Sequence, residues 1–425
     1  MPGAEPRPET PSQPSREKPT GLRRVLSIAG PGLITGGADN DPAGISTYST
    51  VGASTGLSQL WLLVLSLPLL IAVQGIAARL GVVTKLDLAE LLRNEFGRKV
   101  AIFGGTLAVV ANVATIGADL VAMAAVLQLL TNINLTYFIV PLVVVMGYVT
   151  IFQNFNVIKK YMLWLILVFF TYIVAGVLAK PDWGKVLVST VVPPIHLTIT
   201  YFSGAVGLLG TTITPYLFFW QTAGELEERR GVGRLGDSYT DLISGMVFSN
   251  LIAYFIIIST ASTLFLHHKT IKTAADAARA LTPFAGNFAT ILFSVGILGA
   301  GLMAIPVLSI STGYIVSGTF GWKMGLGREA YTAPGFYSVI ALSMLAGVEL
   351  AISGFSPIKA LFYSQILNGL VAPVLIFLMV VMVSRASLMG QFVATIWERV
   401  GGWAAVVVMT VADIAFIYGL ASGKH

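Results

Sequence analysis

Long apolar segments, separated by short polar stretches, occupy most of this chain. A helix of about 20 apolar residues is long enough to cross the ~30 Å hydrocarbon core of a lipid bilayer. The pattern therefore predicts an all-α integral membrane protein. Eleven segments fit this description, at residues 27–54, 58–79, 100–130, 136–154, 160–180, 199–222, 240–265, 286–317, 332–353, 358–383 and 402–421.

Two of the predicted spans, the first and the sixth, are interrupted by glycine and proline. Glycines followed by Pro42 make a continuous helix unfavourable in span 1, and we predict that residues 39–44 unwind. Glycines followed by Pro215 have the same effect in span 6, where we predict unwinding over residues 211–216. Simple proline kinks are the alternative. Unwound backbone at membrane depth is tolerated only where it is buried in protein or lines a cavity.

Spans 1 and 6 each begin a set of five spans. This is the arrangement of two inverted repeats whose broken first helices meet near the bilayer midplane. The predicted organisation is a disordered cytoplasmic tail at 1–24, a first repeat at 25–185, a second repeat at 186–385, and an eleventh span with the C-terminus at 386–425.

Composition and charge agree with a membrane protein. The 425 residues are 55% hydrophobic and 11% charged, and the mean hydropathy is +0.81. If the N-terminus is cytoplasmic, most of the 26 Lys and Arg residues fall on the cytoplasmic side, as the positive-inside rule requires. We therefore expect a multi-pass plasma-membrane protein with an extracellular C-terminus. The net charge of +6 is interpreted as a topology signal, and no nucleic-acid partner is expected.

Charged and polar residues occur inside the first interruption, at Asp39, Asn40 and Asp41. A charge within hydrocarbon costs from ~3 to more than ~10 kcal/mol, so such residues usually face a cavity or a transport pathway. Unwound carbonyl groups are oxygen ligands, and the chain has no cysteine to supply a thiolate. The sequence therefore indicates a cation transporter.

Short motifs recur along the chain in a fixed order. They are the GPG and DP.GI frame of span 1 with Gly52-Ala53 and Leu60-Trp61, VTKLDLAELLRNEFG at 83–97, ANVAT and DL within 111–120, VGILGAGL at 295–302, STGY at 311–314, Ser364-Gln365 and SLMGQF at 387–392. Together they resemble the NRAMP family of divalent-metal transporters. The resemblance implies a LeuT-like (APC) fold, with a 5+5 inverted repeat, broken helices 1 and 6 and an eleventh helix. It also implies movement of divalent metal by alternating access.

The chain departs from the family pattern at positions that bear on the ion. Residues 41–44 read Asp-Pro-Ala-Gly where the family has Asp-Pro-Gly-Asn, and residues 214–216 read Thr-Pro-Tyr where it has Met-Pro-His. A second histidine of helix 6 is replaced by Gln221, and a glutamate of span 3 by Ala122. These changes remove a soft thioether ligand and most groups that could carry a proton near neutral pH. The combination resembles the NRAMP-related magnesium transporter branch.

The resemblance implies a metal site in which Asp41 is the principal charged ligand. Mg²⁺ commonly keeps several waters and binds through one or two carboxylates. We expect Gly44 to widen the pocket for a partly hydrated ion. The expected metal site comprises Asp41, Gly44, the carbonyls of Ala43 and Thr211, and the side chains of Thr214 and Gln365. The expected pathway or second coordination sphere comprises Asp39, Asn40, Tyr216, Gln221 and Asp119.

The sequence thus predicts a transporter of Mg²⁺, and also of Mn²⁺, without proton coupling. No resident cofactor is expected, the partners are the metal ion and the lipid bilayer, and the oligomeric state stays open. The main alternative is a proton-coupled Mn²⁺ or Fe²⁺ importer, which would acidify the cytoplasmic side. An amino-acid transporter is disfavoured because Asp41 would repel a substrate carboxylate. An enzyme is disfavoured because the sequence has no catalytic triad, HExxH motif or phosphate loop.

Overall fold

All regular secondary structure in the described part of the chain is helical. The computed structural model describes residues 30–153, 155–196, 198–267, 271, 287–327, 330–353 and 357–422, and the predicted tail at 1–24 lies outside them. The helices are α1 (Pro31–Ala38), α2 (Pro42–Thr55), α3 (Leu60–Thr84), α4 (Leu88–Phe96), α5 (Arg98–Thr131), α6 (Thr136–Phe152), α7 (Phe155–Leu165), α8 (Phe170–Leu178), α9 (Trp183–Val191), α10 (Ile199–Thr212), α11 (Pro215–Glu227), α12 (Leu235–Thr263), α13 (Asn287–Phe320), α14 (Pro334–Ile352), α15 (Pro357–Val383), α16 (Ala386–Met389) and α17 (Ile396–Ser422). A 3₁₀ turn at Ile166–Phe169 joins α7 to α8.

Each of the eleven predicted spans coincides with a helix or a pair of helices. Nine stretches of the described residues are long and apolar enough to cross a membrane. The other two predicted spans are the α1–α2 pair and α6, which has 17 residues. The all-α prediction is confirmed.

The broken helices of each half of the chain pack against a helix of the other half. The α1–α2 pair packs against α12, which is span 7, and the α10–α11 pair packs against α3, which is span 2. Helix α5 packs against α13 and α15. Spans 1 and 6 are equivalent positions in a 5+5 inverted repeat, and so are spans 2 and 7. This packing is therefore the contact pattern of that fold.

The contact between α1 and α12 is made backbone to backbone. Gly36 faces Gly245, and a Cβ at either glycine would overlap the backbone of the other helix. Gly32 similarly lies against the backbone of Leu242. Only glycine permits an approach this close, so α1 lies directly on span 7.

The N-terminus of α1 is capped from a distant part of the chain. The carboxylate of Asp241, in α12, accepts backbone N–H bonds from Gly30 and Gly32 at 3.0 Å and from Leu33 at 3.1 Å. Arg230 follows α11 and donates to the same carboxylate at 3.2 Å. This cluster joins the start of span 1 to spans 6 and 7.

Candidate metal site

The interruption of the first span consists of Asp39, Asn40 and Asp41, between α1 and α2. It is shorter than predicted, because Ala43 and Gly44 already lie in the first turn of α2. A proline at the first position of a helix has no N–H that the helix needs, so it begins α2 instead of extending the gap.

Two carboxylates meet at the N-terminus of α2. Oδ1 of Asp41 accepts the backbone N–H of Gly44 at 2.5 Å, and Oδ1 of Asp119, from α5, accepts the N–H of Ala43 at 3.0 Å. The positive end of the helix dipole favours both negative charges there. The carbonyl of Ala43 accepts the hydroxyl of Thr47 at 2.8 Å, and its role as an ion ligand stays a prediction.

The interruption of the sixth span is also shorter than predicted and consists of Ile213 and Thr214. The hydroxyl of Thr214 donates to the carbonyls of Gly210 at 3.1 Å and Thr211 at 2.6 Å. The hydroxyl oxygen of Thr211 has no hydrogen-bond partner although the residue is buried. Two neutral oxygen groups are therefore available at this second break.

Gly44 lies at the contact between the two breaks, which contradicts the expectation that it widens the pocket. A Cβ on Gly44 would lie 2.6 Å from Oγ1 of Thr211 and 3.0 Å from Oδ1 of Asp41. The space that the missing side chain would leave is filled by the threonine hydroxyl. In this conformation Gly44 does not widen the pocket; it permits α2 and α10 to approach.

Polar side chains of α11 bond back to α1. The hydroxyl of Tyr216 donates to the carbonyl of Ala38 at 2.7 Å. Gln221 accepts the hydroxyl of Thr35 at 2.7 Å and donates to Glu225 at 2.9 Å. Both residues that replace family histidines thus link the two broken helices.

Asp39 and Asn40 bond to a residue that the sequence analysis did not single out. The hydroxyl of Ser249, in α12, donates to Oδ2 of Asp39 and lies 3.0 Å from Nδ2 of Asn40. Ser249 and Asn250 form a polar pair in the middle of the span, between apolar residues on both sides, and this was the signal that the sequence offered.

Gln365 lies on α15, beside the second break. Its backbone carbonyl lies so close to Gly210 that a Cβ there would overlap it. Its side-chain oxygen accepts Nδ2 of Asn368 at 3.1 Å, while its Nε2 has no partner. The predicted ligands therefore come from α2, α10–α11 and α15, with Asp119 from α5.

The three carboxylates of the site are buried without a basic partner. Asp39, Asp41 and Asp119 are 1%, 2% and 0% exposed. In the described part of the chain none forms a salt bridge within 4.0 Å. Oδ1 of Asp39 and Oδ2 of Asp119 have no hydrogen-bond partner either. A buried carboxylate without a basic partner is neutralised by a proton or by a bound cation, so the cluster is a candidate cation site.

Protein carboxylates alone would not complete the coordination of a metal ion. Among the residues described, no group of three or more His, Cys, Asp or Glu is arranged to hold one. A bound metal would therefore also use hydroxyl, amide or carbonyl oxygens and water, which is the coordination that hard divalent cations accept.

A 5+5 helical fold with two broken helices around a buried acidic site is the architecture of LeuT-like membrane transporters. The chain belongs to the Nramp family, because the family model described as "Natural resistance-associated macrophage protein-like" matches residues 32–419.

Individual relatives agree with this assignment, and solved structures share the fold. The chain is 27% identical over 424 residues to a divalent metal cation transporter of Deinococcus radiodurans, covering 95% of this chain and 92% of the relative. A similar transporter of Bacillus subtilis is 23% identical, with 93% of each chain covered. A manganese transporter of Eremococcus coleocola superposes with a TM-score of 0.73 at 22% identity, covering 94% of this chain and 88% of that one. Mhp1, a nucleobase-cation-symport-1 transporter, gives 0.57 at 15% identity, covering 92% and 90%.

Proposed function

We propose that this protein moves divalent metal ions across the plasma membrane by alternating access, that Mg²⁺ is its main cargo and Mn²⁺ a second one, and that no proton is coupled. The observation that carries the proposal is the buried acidic site between the two helix breaks. Relatives named as divalent metal cation transporters and a structural neighbour named as a manganese transporter support a divalent metal, and Mn²⁺ in particular, as cargo.

The preference for Mg²⁺ rests on the chemistry of the ligands. The residues of the two breaks carry carboxylate, amide and hydroxyl groups, and none carries sulfur or imidazole. Oxygen ligands suit hard cations, whereas a thioether favours softer metals such as manganese and iron. Asp41 would supply the principal charge, and Thr214 stands where the family has methionine.

The absence of proton coupling rests on the groups inside the membrane. The four histidines, at positions 196, 267, 268 and 425, lie outside the predicted spans. Gln221 and Tyr216 occupy the positions of family histidines, and both make hydrogen bonds to α1. Neither side chain exchanges a proton near neutral pH.

Energetics allow uptake without a coupled ion. We propose that the N-terminus is cytoplasmic, so that the basic loops lie inside. A divalent ion that enters through ~100 mV gains about 4.6 kcal/mol, enough for a roughly 10³-fold accumulation. Facilitated entry driven by the membrane potential is therefore sufficient.

The test uses liposomes that contain a magnesium-sensitive dye and, in parallel, a pH-sensitive dye. We expect Mg²⁺ influx without acidification in the wild type, and loss of that influx in Asp41→Asn. Asp413→Asn is the matched control, since Asp413 is a buried acid of α17 and lies outside both breaks. Mn²⁺ uptake with acidification and without Mg²⁺ influx would support the proton-coupled alternative instead.

A further inference from the structure

We propose that the protein has a second cation site, for a monovalent ion of the size of Na⁺, formed by Asp39, Asn40 and Ser249. The site would be loaded together with the divalent cargo, so the inference rests on the proposed function. It is separate from the expected metal site: Asp39 and Asn40 contact α12, whereas Asp41 bonds to the N-terminus of α2.

The side chains of the site converge on one hydroxyl group. Ser249 Oγ donates to Oδ2 of Asp39 and accepts Nδ2 of Asn40 at 3.0 Å. The other carboxylate oxygen of Asp39, Oδ1, and the amide oxygen of Asn40, Oδ1, have no hydrogen-bond partner. Both residues are at most 1% exposed. Two buried acceptor oxygens without a hydrogen-bond partner, on side chains that share one hydroxyl group, fit a cation.

The helix geometry strengthens the need for positive charge at this point. Asp39 is the C-terminal cap of α1, where the helix dipole is negative, whereas Asp41 is the N-terminal cap of α2, where it is positive. A negative side chain is therefore stabilised at Asp41 and destabilised at Asp39. The C-terminal ends of broken helices are also the places where transporter folds hold cations.

The charge balance selects a monovalent ion. When ionised, Asp39, Asp41 and Asp119 together carry three negative charges, and the described residues place no Lys, Arg or His in an ion pair with them. One divalent cargo ion neutralises two of these charges. A monovalent cation at Asp39 completes the balance, whereas a second divalent ion would leave an excess of positive charge.

The test compares media in which only the monovalent cation differs. Proteoliposomes with a magnesium-sensitive dye, held at a fixed membrane potential, receive Mg²⁺ in NaCl or in choline chloride. We expect about ten-fold faster influx in Na⁺ for the wild type, a coupling of ordinary size. Asp413→Asn, the matched control, should keep this ratio. Asp39→Asn keeps the shape of the side chain but removes its charge, and it should give equal rates in both media.

A second measurement does not depend on transport. In detergent and without Mg²⁺, Na⁺ should raise the unfolding temperature of the wild type, because an ion that binds only the folded state stabilises it. The rise should disappear in Asp39→Asn and be smaller in Ser249→Ala. It also shows whether each variant is folded.

The outcomes separate the two proposals. Equal Mg²⁺ influx in Na⁺ and choline, or a Na⁺ effect that persists in Asp39→Asn, would overturn the second site and leave magnesium transport standing. If Mg²⁺ influx depends on pH instead of Na⁺, a proton and not Na⁺ neutralises Asp39, and this result would also overturn the second site. Absence of Mg²⁺ influx in every medium would overturn the proposed function, while the unfolding measurement still decides the Na⁺ site.

Discussion

The hydroxyl of Tyr216 donates a hydrogen bond to the carbonyl oxygen of Ala38 at 2.7 Å, so the two broken helices are joined directly at their breaks. Tyr216 lies in the first turn of α11, and Ala38 is the last residue of α1; both are completely buried. Any motion that separates α1 from α11 must break this bond.

Removal of that hydroxyl should make the site open more often. A typical hydrogen bond contributes about 1 kcal/mol, so Tyr216→Phe should shift the equilibrium about five-fold towards open states. The chain has no cysteine, so a single Ala38→Cys substitution reports access to the site without background. We expect faster modification by a water-soluble thiol reagent in Tyr216→Phe. Tyr172→Phe, which removes a buried hydroxyl without a partner, should leave the rate unchanged.

A side chain at position 44 should clash with Thr211, and a shorter residue at position 211 should relieve the clash. Gly44→Ala places a Cβ 2.6 Å from the Thr211 hydroxyl and should destabilise the protein by about 1–3 kcal/mol. Thr211→Ala in the same chain removes the obstructing oxygen and should restore most of the loss, as measured by thermal unfolding. Gly236→Ala is the control, since a Cβ there meets open space. Equal losses in the single and double variants would contradict this account.

Replacement of Arg230, which lies in a buried cluster of ion pairs, should cause a large loss of stability. Its guanidinium pairs with Asp241 at 3.2 Å and with Glu225 at 3.8 Å, and it is 1% exposed. Arg230→Gln leaves two buried carboxylates without this charged partner and should cost about 3–5 kcal/mol. Arg234→Gln breaks an exposed pair with Asp237 and should cost less than ~1 kcal/mol. Comparison of the two unfolding midpoints in detergent checks the difference.

A thioether at the second break should alter ion selectivity. Thr214→Met introduces a soft ligand in place of a hydroxyl that bonds to the carbonyls of Gly210 and Thr211. We expect Cd²⁺ and Mn²⁺ to compete more strongly with Mg²⁺ influx in the variant, because sulfur favours softer metals. Thr214→Ser retains a hydroxyl and should keep the original order. An unchanged competition series in Thr214→Met would separate Thr214 from the ion.

Asp87 lies outside the membrane spans and should make the stability of the protein depend on pH. It caps α4 through the backbone N–H groups of Ala89 at 2.8 Å and Glu90 at 3.2 Å. Burial, and then the charge of Glu90, raises the pKa of Asp87 well above its usual value of 3.8. The folded state therefore binds the proton more tightly than the unfolded state, and stability falls as pH rises through the folded pKa.

Asp87→Asn should remove this dependence while keeping the cap, since Asn caps helices about as well as Asp. Its unfolding temperature should exceed that of the wild type at alkaline pH and approach it at acidic pH. Parallel curves for the two proteins over the whole pH range would contradict the assignment.

The sequence was sufficient to locate the spans and the breaks, but not the partners of the break residues. Hydropathy and the positions of glycine and proline are local properties, and they predicted both interruptions to within a few residues. The bonds of Asp39 to Ser249 and of Asp241 to Gly30 join residues more than 200 positions apart. They depend on how α1 lies on α12, which no local pattern records.

The expected widening at Gly44 failed for a related reason. It was inferred from the volume of one side chain in an otherwise fixed pocket. In the structure the Thr211 hydroxyl occupies the space where a side chain at position 44 would lie, because close packing leaves few voids in a folded protein.

The unpaired carboxylates at Asp39, Asp41 and Asp119 also bear on the half of the cycle in which the protein carries nothing. After release of its cargo, the site holds negative charge within the membrane with no internal cation to offset it. Under the proposed alternating access, we expect reorientation of the empty carrier to be slower than that of the loaded one. Divalent ions on the opposite side should accelerate the return, so exchange of one divalent ion for another should outpace net movement.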